Sequence, residues 1–213
     1  MNSIVILCNG LFPTEPYPLN LLDTADGVVC CDGALEKWLQ YNPSAQPMAV
    51  VGDMDSLPSE LQERFASVLV HESEQDDNDQ TKALRWVLQN HPEATDIVFL
   101  GATGLREDHT IGNFDHLMDY PREFDLGDRQ LSMVSDFGTA FVIVESCELH
   151  LGEDRRISIF TTDPTLRISS IGLKWPLDNV IFDSWWKATL NRTTDPIIQL
   201  NLSHPAPVLV MVD

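Results

Sequence analysis

A chain of 213 residues, 43% of them hydrophobic, can bury a core as one large domain or two small ones. Its formal net charge of −20 argues strongly against a nucleic-acid partner, which would need cations to neutralise phosphates. No apolar run approaches the roughly 20 residues needed to cross a bilayer, so no membrane partner is expected. The same charge suits a cationic ligand, an anionic ligand carried in with metal, or plain solubility.

Met1-Asn2-Ser3-Ile4-Val5-Ile6-Leu7 lacks a basic leader and a small-residue cleavage site, and reads as the start of a buried strand in a cytoplasmic protein. The four cysteines (Cys8, Cys30, Cys31, Cys147) show no C-x-x-C spacing, which fits buried free thiols in a reducing compartment.

In chain order, Ile4–Cys8 reads as a strand and the Pro-rich stretch Pro13–Pro18 as a loop. A second strand covers Gly27–Cys31, a helix Ala34–Tyr41, a third strand Met48–Val51 and a helix Ser59–Ala66. Val68–Val70 is a short strand, and Asp79–Gln89 a helix with Leu84, Val87 and Leu88 on one face. Ile97–Leu100 is a strand, Gly101–Gly104 a turn and Asp108–Met118 a helix. This alternation indicates βα units and a mostly parallel sheet. Beyond the polar stretch Tyr120–Arg129 come short runs separated by Gly, Pro and Asp: Leu131–Val134, Ala140–Val144, Glu148–Leu151, Ile157–Thr161, Leu166–Ser169, Val180–Phe182, Ile197–Leu202 and Val208–Val212. They read as a β-sandwich or barrel. The expected fold is therefore an N-terminal α/β domain over 1–125 followed by an all-β sandwich over 126–213.

The chemistry is organised around Val50-Val51-Gly52-Asp53-Met54-Asp55-Ser56. If this stretch stays extended, alternate residues point the same way and Asp53 and Asp55 converge. Two unit charges roughly 4 Å apart repel by about 4 kcal/mol at an effective dielectric of ~20, and a hard cation such as Mg²⁺ relieves that. Taken alone, the stretch also reads as a solvated turn in which Ser56 caps the next helix. However, the loops leaving four successive strands carry Asp32-Gly33, Gly52–Ser56, Gln75-Asp76-Asp77-Asn78-Asp79 and Gly101–His109. Parallel strands would bring all four to one edge, where open α/β sheets bind ligands. Asp79, in the first turn of its helix, has a capping role as a rival reading. Gly101–Gly104 suits phosphate approach, with Arg106 as a candidate clamp, although neither a Walker motif nor G-x-G-x-x-G is present. The histidines show no zinc-ligand spacing, and Ser56 has no partner pattern for nucleophilic catalysis.

Cys31-Asp32-Gly33, Gly52-Asp53-Met54-Asp55-Ser56, Gln75-Asp76-x-x-Asp79-x-Thr81-Lys82, Gly101-Ala102-Thr103-Gly104, Arg106-x-Asp108-His109 and Gly172-Leu173-Lys174-Trp175 together resemble thiamine pyrophosphokinase. That resemblance implies an α/β domain, a C-terminal β-sandwich and a homodimer with shared sites. It also implies transfer of the pyrophosphoryl group of ATP to thiamine, with Mg²⁺. It places Mg²⁺ on Asp53, Asp55 and Asp79, and ATP on Asp32, Gly52, Ser56, Thr103, Arg106 and His109. Asp108 would orient or deprotonate the thiamine hydroxyl. Gln75, Asp76, Trp175, Thr189 and Asn191 would face thiamine, Trp175 by stacking on it from the partner subunit. The other tryptophans, Trp38, Trp86, Trp185 and Trp186, suit packing. Ala34-Leu35-Glu36 departs from the family's usual Gly-Ala-Asn after Asp32-Gly33, which weakens any nucleotide contact there, and Ala188–Asn191 departs from its Ser/Thr-rich stretch. A non-catalytic thiamine or nucleotide sensor on this fold is the alternative. A metal-dependent nucleotide-sugar transferase is another, though it leaves the Gly101–His109 loop and the β domain unexplained.

Overall fold

The computed structural model describes residues 2–74 and 76–213, and the chain forms two compact units: Met1–Asn113 with Leu126–Asp136, and Phe114–Asp125 with Phe137–Asp213.

The first unit contains β1 (Ser3–Leu7), α1 (Pro16–Thr24), β2 (Gly27–Cys31), α2 (Ala34–Tyr41), β3 (Ala49–Gly52), α3 (Ser59–Arg64), β4 (Leu69–His71), α4 (Asp79–Asn90), β5 (Asp96–Leu100), the start of α5 (Glu107–Glu123) and β6 (Gln130–Ser135). Its strands run in the order β6-β5-β1-β2-β3-β4, every pairing parallel. β1, β2, β3 and β5 are nearly continuous apolar runs because helices cover both faces of the sheet. Val5, Val28, Val50 and Val98 point into one core with Leu22, Leu35 and Trp38, while α4 packs on β1, β2 and β3. The strand order reverses between β1 and β5, where α/β sheets open a ligand crevice at their carboxyl edge.

Two elements differ from the sequence reading of this unit. The Pro-rich stretch expected as a loop starts α1 at Pro16, where proline's missing N–H has no helical partner to lose. Leu131–Val134, counted with the sandwich strands, pairs parallel to β5 (Ile97 with Leu131, Phe99 with Met133). A short apolar run does not encode its partner. After β6, the Asp136 carboxylate accepts from Thr14 N (2.9 Å), Thr14 Oγ1 (2.6 Å) and Glu15 N (3.1 Å). These bonds fasten the segment that leads into α1.

The second unit holds the rest of α5, then β7 (Gly138–Ile143), β8 (Cys147–His150), β9 (Arg156–Phe160), β10 (Ile168–Ile171), β11 (Asn191–Arg192), β12 (Ile197–Leu202) and β13 (Val208–Val212). Antiparallel strands in the order β11-β9-β13-β7 and a three-stranded sheet β10-β12-β8 share a core of Ile157, Ile159, Val208 and Val210 with Ile168, Ile198 and Leu200. That is the expected antiparallel β region. α5 runs past the expected stop at Met118 through Pro121, whose missing hydrogen bond falls in the last turn while Leu117, Met118 and Tyr120 are buried. Val180–Phe182 is not a strand: Phe182 is anchored in the core and Ile181 is exposed, so the alternation belongs to an unpaired segment. Among the described residues no helix is long and apolar enough to cross a membrane.

Candidate active site

The carboxyl edge of the parallel strands collects the acids. Asp32 follows β2 directly, and its backbone N–H bonds Val51 O (3.0 Å), so the chain turns there with Asp32 at φ +36°. Asp32 is 2% exposed; its Oδ2 accepts from Ser56 N (2.9 Å), and its buried Oδ1 has no hydrogen-bond partner among the described residues. Asp53 and Asp55 leave β3 in a turn, with Met54 at φ +65° and Asp55 N donating to Asp53 Oδ1 (3.2 Å). Their convergence was expected from extended backbone; a local turn produces it instead. Asp32, Asp53 and Asp55 each present a carboxylate oxygen, all within 4.8 Å of one another. Such a donor set suits a hard divalent cation, and the unpaired Asp32 Oδ1 is the atom such an ion would satisfy.

Asp79 opens α4 beside this cluster. A Cβ on Gly52 would lie 3.0 Å from Asp32 Cβ and 3.3 Å from Asp79 Oδ1, so only glycine lets β3 end between the two acids. Asp79 does not cap its helix: the Asn78 side chain does, accepting from Thr81 N (2.9 Å). Burial, followed by the charges of Asp32, Asp53 and Asp55, pushes the Asp79 carboxyl up to about 6 against the opposing pull of Lys82. Burial likewise raises Asp32, with Asp55 and Asp53 adding to it and the Ser56 N–H opposing. Ser56 was expected to cap α3, but the residue before that helix is Pro58, and Ser56 Oγ donates to Asp55 Oδ1 (2.9 Å).

On the β5 side, Gly101, Gly104 and Leu105 all have positive φ, which folds the Gly101–Gly104 loop tightly. It is zipped to the loop after β1: Gly10 N donates to Gly101 O (2.7 Å) and Leu11 N to Thr103 O (2.9 Å). Lys37 Nζ grips that same loop through Asn9 O (2.6 Å) and Gly10 O (2.7 Å). Arg106 and Asp108 form an exposed two-point pair, Nε to Oδ1 at 3.1 Å and the terminal nitrogen to Oδ2 at 2.5 Å. Arg106 holds the Asp108 carboxyl down near 2. His109 is exposed, and its backbone N–H donates to Asp108 Oδ1 (3.0 Å). Asp76 is exposed and its N–H donates to Glu74 Oε1; Gln75 lies outside the described residues.

The pattern of the thiamin pyrophosphokinase catalytic domain matches residues 19–126, and that of the thiamin pyrophosphokinase substrate-binding domain matches residues 138–206. The chain belongs to the thiamin pyrophosphokinase family. Thiamine pyrophosphokinase 1 of Oryza sativa subsp. japonica is 28% identical over 206 residues, covering 83% of this chain and 74% of that protein. The thiamin pyrophosphokinase structure from Geobacillus thermodenitrificans matches with a TM-score of 0.75 at 25% identity, covering 99% of this chain and 96% of that one. The Candida albicans thiamin pyrophosphokinase reaches a TM-score of 0.81 at 15% identity over 99% of this chain and 88% of its own, a likeness of fold.

Within the part matched to the family's substrate-binding domain, Trp175 is 54% exposed, with Lys174 Nζ 4.8 Å from its ring centroid. A cation therefore already sits on that face of the ring. Asn191, expected to touch substrate, has its amide engaged by the Trp175 backbone: Oδ1 accepts from Trp175 N (3.2 Å) and Nδ2 donates to Trp175 O (2.7 Å). Thr189 Oγ1 bonds Trp186 O (2.9 Å), closing the short turn Trp185–Ala188. Of the other tryptophans, Trp38 is buried, while Trp185 meets Phe160 edge-on and is 42% exposed. Lys82 falls within a sequence motif that gives it no task, and Lys37 and the β1 loop it holds lie outside the motifs. The adjacency of Asn9-Gly10 to a predicted strand end was the available signal.

Proposed function

We propose that the chain transfers the pyrophosphoryl group of ATP to the hydroxyl of thiamine, giving thiamine diphosphate and AMP. The observation that carries this reading is the convergence of Asp32, Asp53 and Asp55 around the unpaired Asp32 Oδ1, in a family named for the reaction. Mg²⁺ held by Asp53 and Asp55, with Asp32 and Asp79 beside them, would supply charge neutralisation to the triphosphate. The Gly101–Gly104 loop and Arg106 approach the phosphates from the β5 side, through backbone N–H groups and a guanidinium. The thiamine hydroxyl oxygen attacks the β-phosphorus in line, the bond from that phosphorus to the AMP oxygen breaks, and the hydroxyl proton leaves to a carboxylate. Asp108, held near 2 by Arg106, is a weak base; it orients Arg106 and, through it, the phosphate. Trp175 stacks on the thiamine cation, with Asn191 fixing its backbone. The exposed Trp175, Trp186 and Leu190 support a homodimer, which sedimentation would test: a stable, active monomer refutes it.

The deciding experiment is a product assay with purified protein, thiamine, ATP and Mg²⁺. AMP formed in step with thiamine diphosphate is the expected result. ADP with thiamine monophosphate would replace the reaction, and tight thiamine binding without turnover would make the protein a sensor.

A further inference from the structure

Lys82 is one of four lysines in the chain, and it is 2% exposed. Buried ammonium groups are rare unless they are paired. Its Nζ lies 3.8 Å from Asp79 Oδ1 and 3.3 Å from the Glu72 carbonyl oxygen. Glu72 in turn donates its N–H to Gly52 O (2.9 Å), so one ammonium ties the start of α4 to the ends of β3 and β4. Arg85, the other cation on that side of α4, pairs with Asp77 and lies 3.9 Å from Glu72. Among the described residues Lys82 is the buried positive charge, and it sits against Asp79, whose carboxyl also feels Asp32, Asp53 and Asp55.

We propose that Lys82 is a resident counter-cation of the acidic cluster. It holds Asp79 and the strand ends in place when no metal is bound, and it competes electrostatically with the divalent ion for the same carboxylates. The inference rests on the reading of Asp32, Asp53, Asp55 and Asp79 as a metal site. Removing one positive charge a few ångströms from that site raises cation affinity roughly tenfold or more even when solvent screens the pair to a dielectric near that of water, ~80. It also makes the metal-free protein dependent on the cation for stability.

The test compares wild type, Lys82→Gln, Lys82→Arg and Asp53→Asn, with Mn²⁺ alone titrated by calorimetry and melting followed with and without Mg²⁺. Lys82→Gln should bind Mn²⁺ roughly tenfold tighter, melt earlier without metal and recover most of that loss with Mg²⁺. Lys82→Arg, which keeps the charge, should stay within about threefold of wild type. A Lys82→Gln protein destabilised equally with and without Mg²⁺, or binding Mn²⁺ no tighter, has lost only packing and overturns the proposal. Wild type that binds no Mn²⁺, matching Asp53→Asn, would instead overturn the metal-site reading beneath it.

Discussion

Replacing Asp32 by Asn should make the metal-free protein more stable and nearly inactive. The carboxylate is 2% exposed, with Oδ1 unpaired and two further carboxylates within 4.8 Å. A buried unsatisfied polar group costs about 1–3 kcal/mol. Asparagine keeps the Oδ acceptor for Ser56 N and turns an NH₂ donor toward the neighbouring oxygens, so the expected gain is about 1–3 kcal/mol. For a chain of this size that corresponds to roughly 3–10 °C in melting temperature. The sign with pH follows from the raised Asp32 carboxyl. The folded state keeps its proton to higher pH than the unfolded state, so the wild-type penalty is absent near pH 4 and develops as pH climbs through the folded value. The advantage of Asp32→Asn should thus be smallest near pH 4 and grow as the pH rises above it, read by urea unfolding in EDTA. Turnover with Mg²⁺ should fall at least about a hundredfold, the scale on which single electrostatic groups act. A variant that is less stable without metal, or that retains activity, would refute the assignment of the orphan oxygen to a cation.

Two glycines make a matched pair: Gly52→Ala drives a Cβ against Asp32 and Asp79 and should cost about 1–3 kcal/mol and abolish turnover, whereas Gly112→Ala meets nothing within 4 Å and should add about 0.5–1 kcal/mol to α5. Thermal melts of both, with the product assay, check this; equal effects would sink it. Asp136→Ala removes the acceptor for Thr14 and Glu15 and should cost about 1–2 kcal/mol by urea unfolding. Trp175→Ala should raise the KM for thiamine about 2- to 30-fold and leave that for ATP unchanged, the range a cation–π contact spans. A loss confined to ATP would contradict the stacking role.

The parallel sheet was legible because β1, β2, β3 and β5 are buried on both faces and so read as unbroken apolar runs. The four acidic loops were placed correctly on one edge for the same reason. What escaped had a physical cause in each case. α1 opens on prolines that also make loops, and β6 carries no mark of whether its neighbour is parallel or antiparallel. Asp53 and Asp55 converge through the positive φ of Met54, not through the extended backbone on which the expectation rested. That Asp32 is buried beside them, and that Lys82 turns inward, depend on packing around Gly52 that local sequence does not encode.

The Asp136 clasp and the parallel pairing of β6 with β5 have a consequence for how the protein is made. Asp32, Asp53, Asp55 and Asp79 all leave the ribosome long before residue 136 is translated. Until then β5 is an open edge and the segment entering α1 lacks its anchor. At roughly 5–20 residues per second, seconds separate synthesis of the acids from closure of the sheet that aligns them. A fragment stopping at residue 125 would carry every acid of the cluster and still lack the strand that completes their scaffold. Expressed alone, it should aggregate through that unpaired edge.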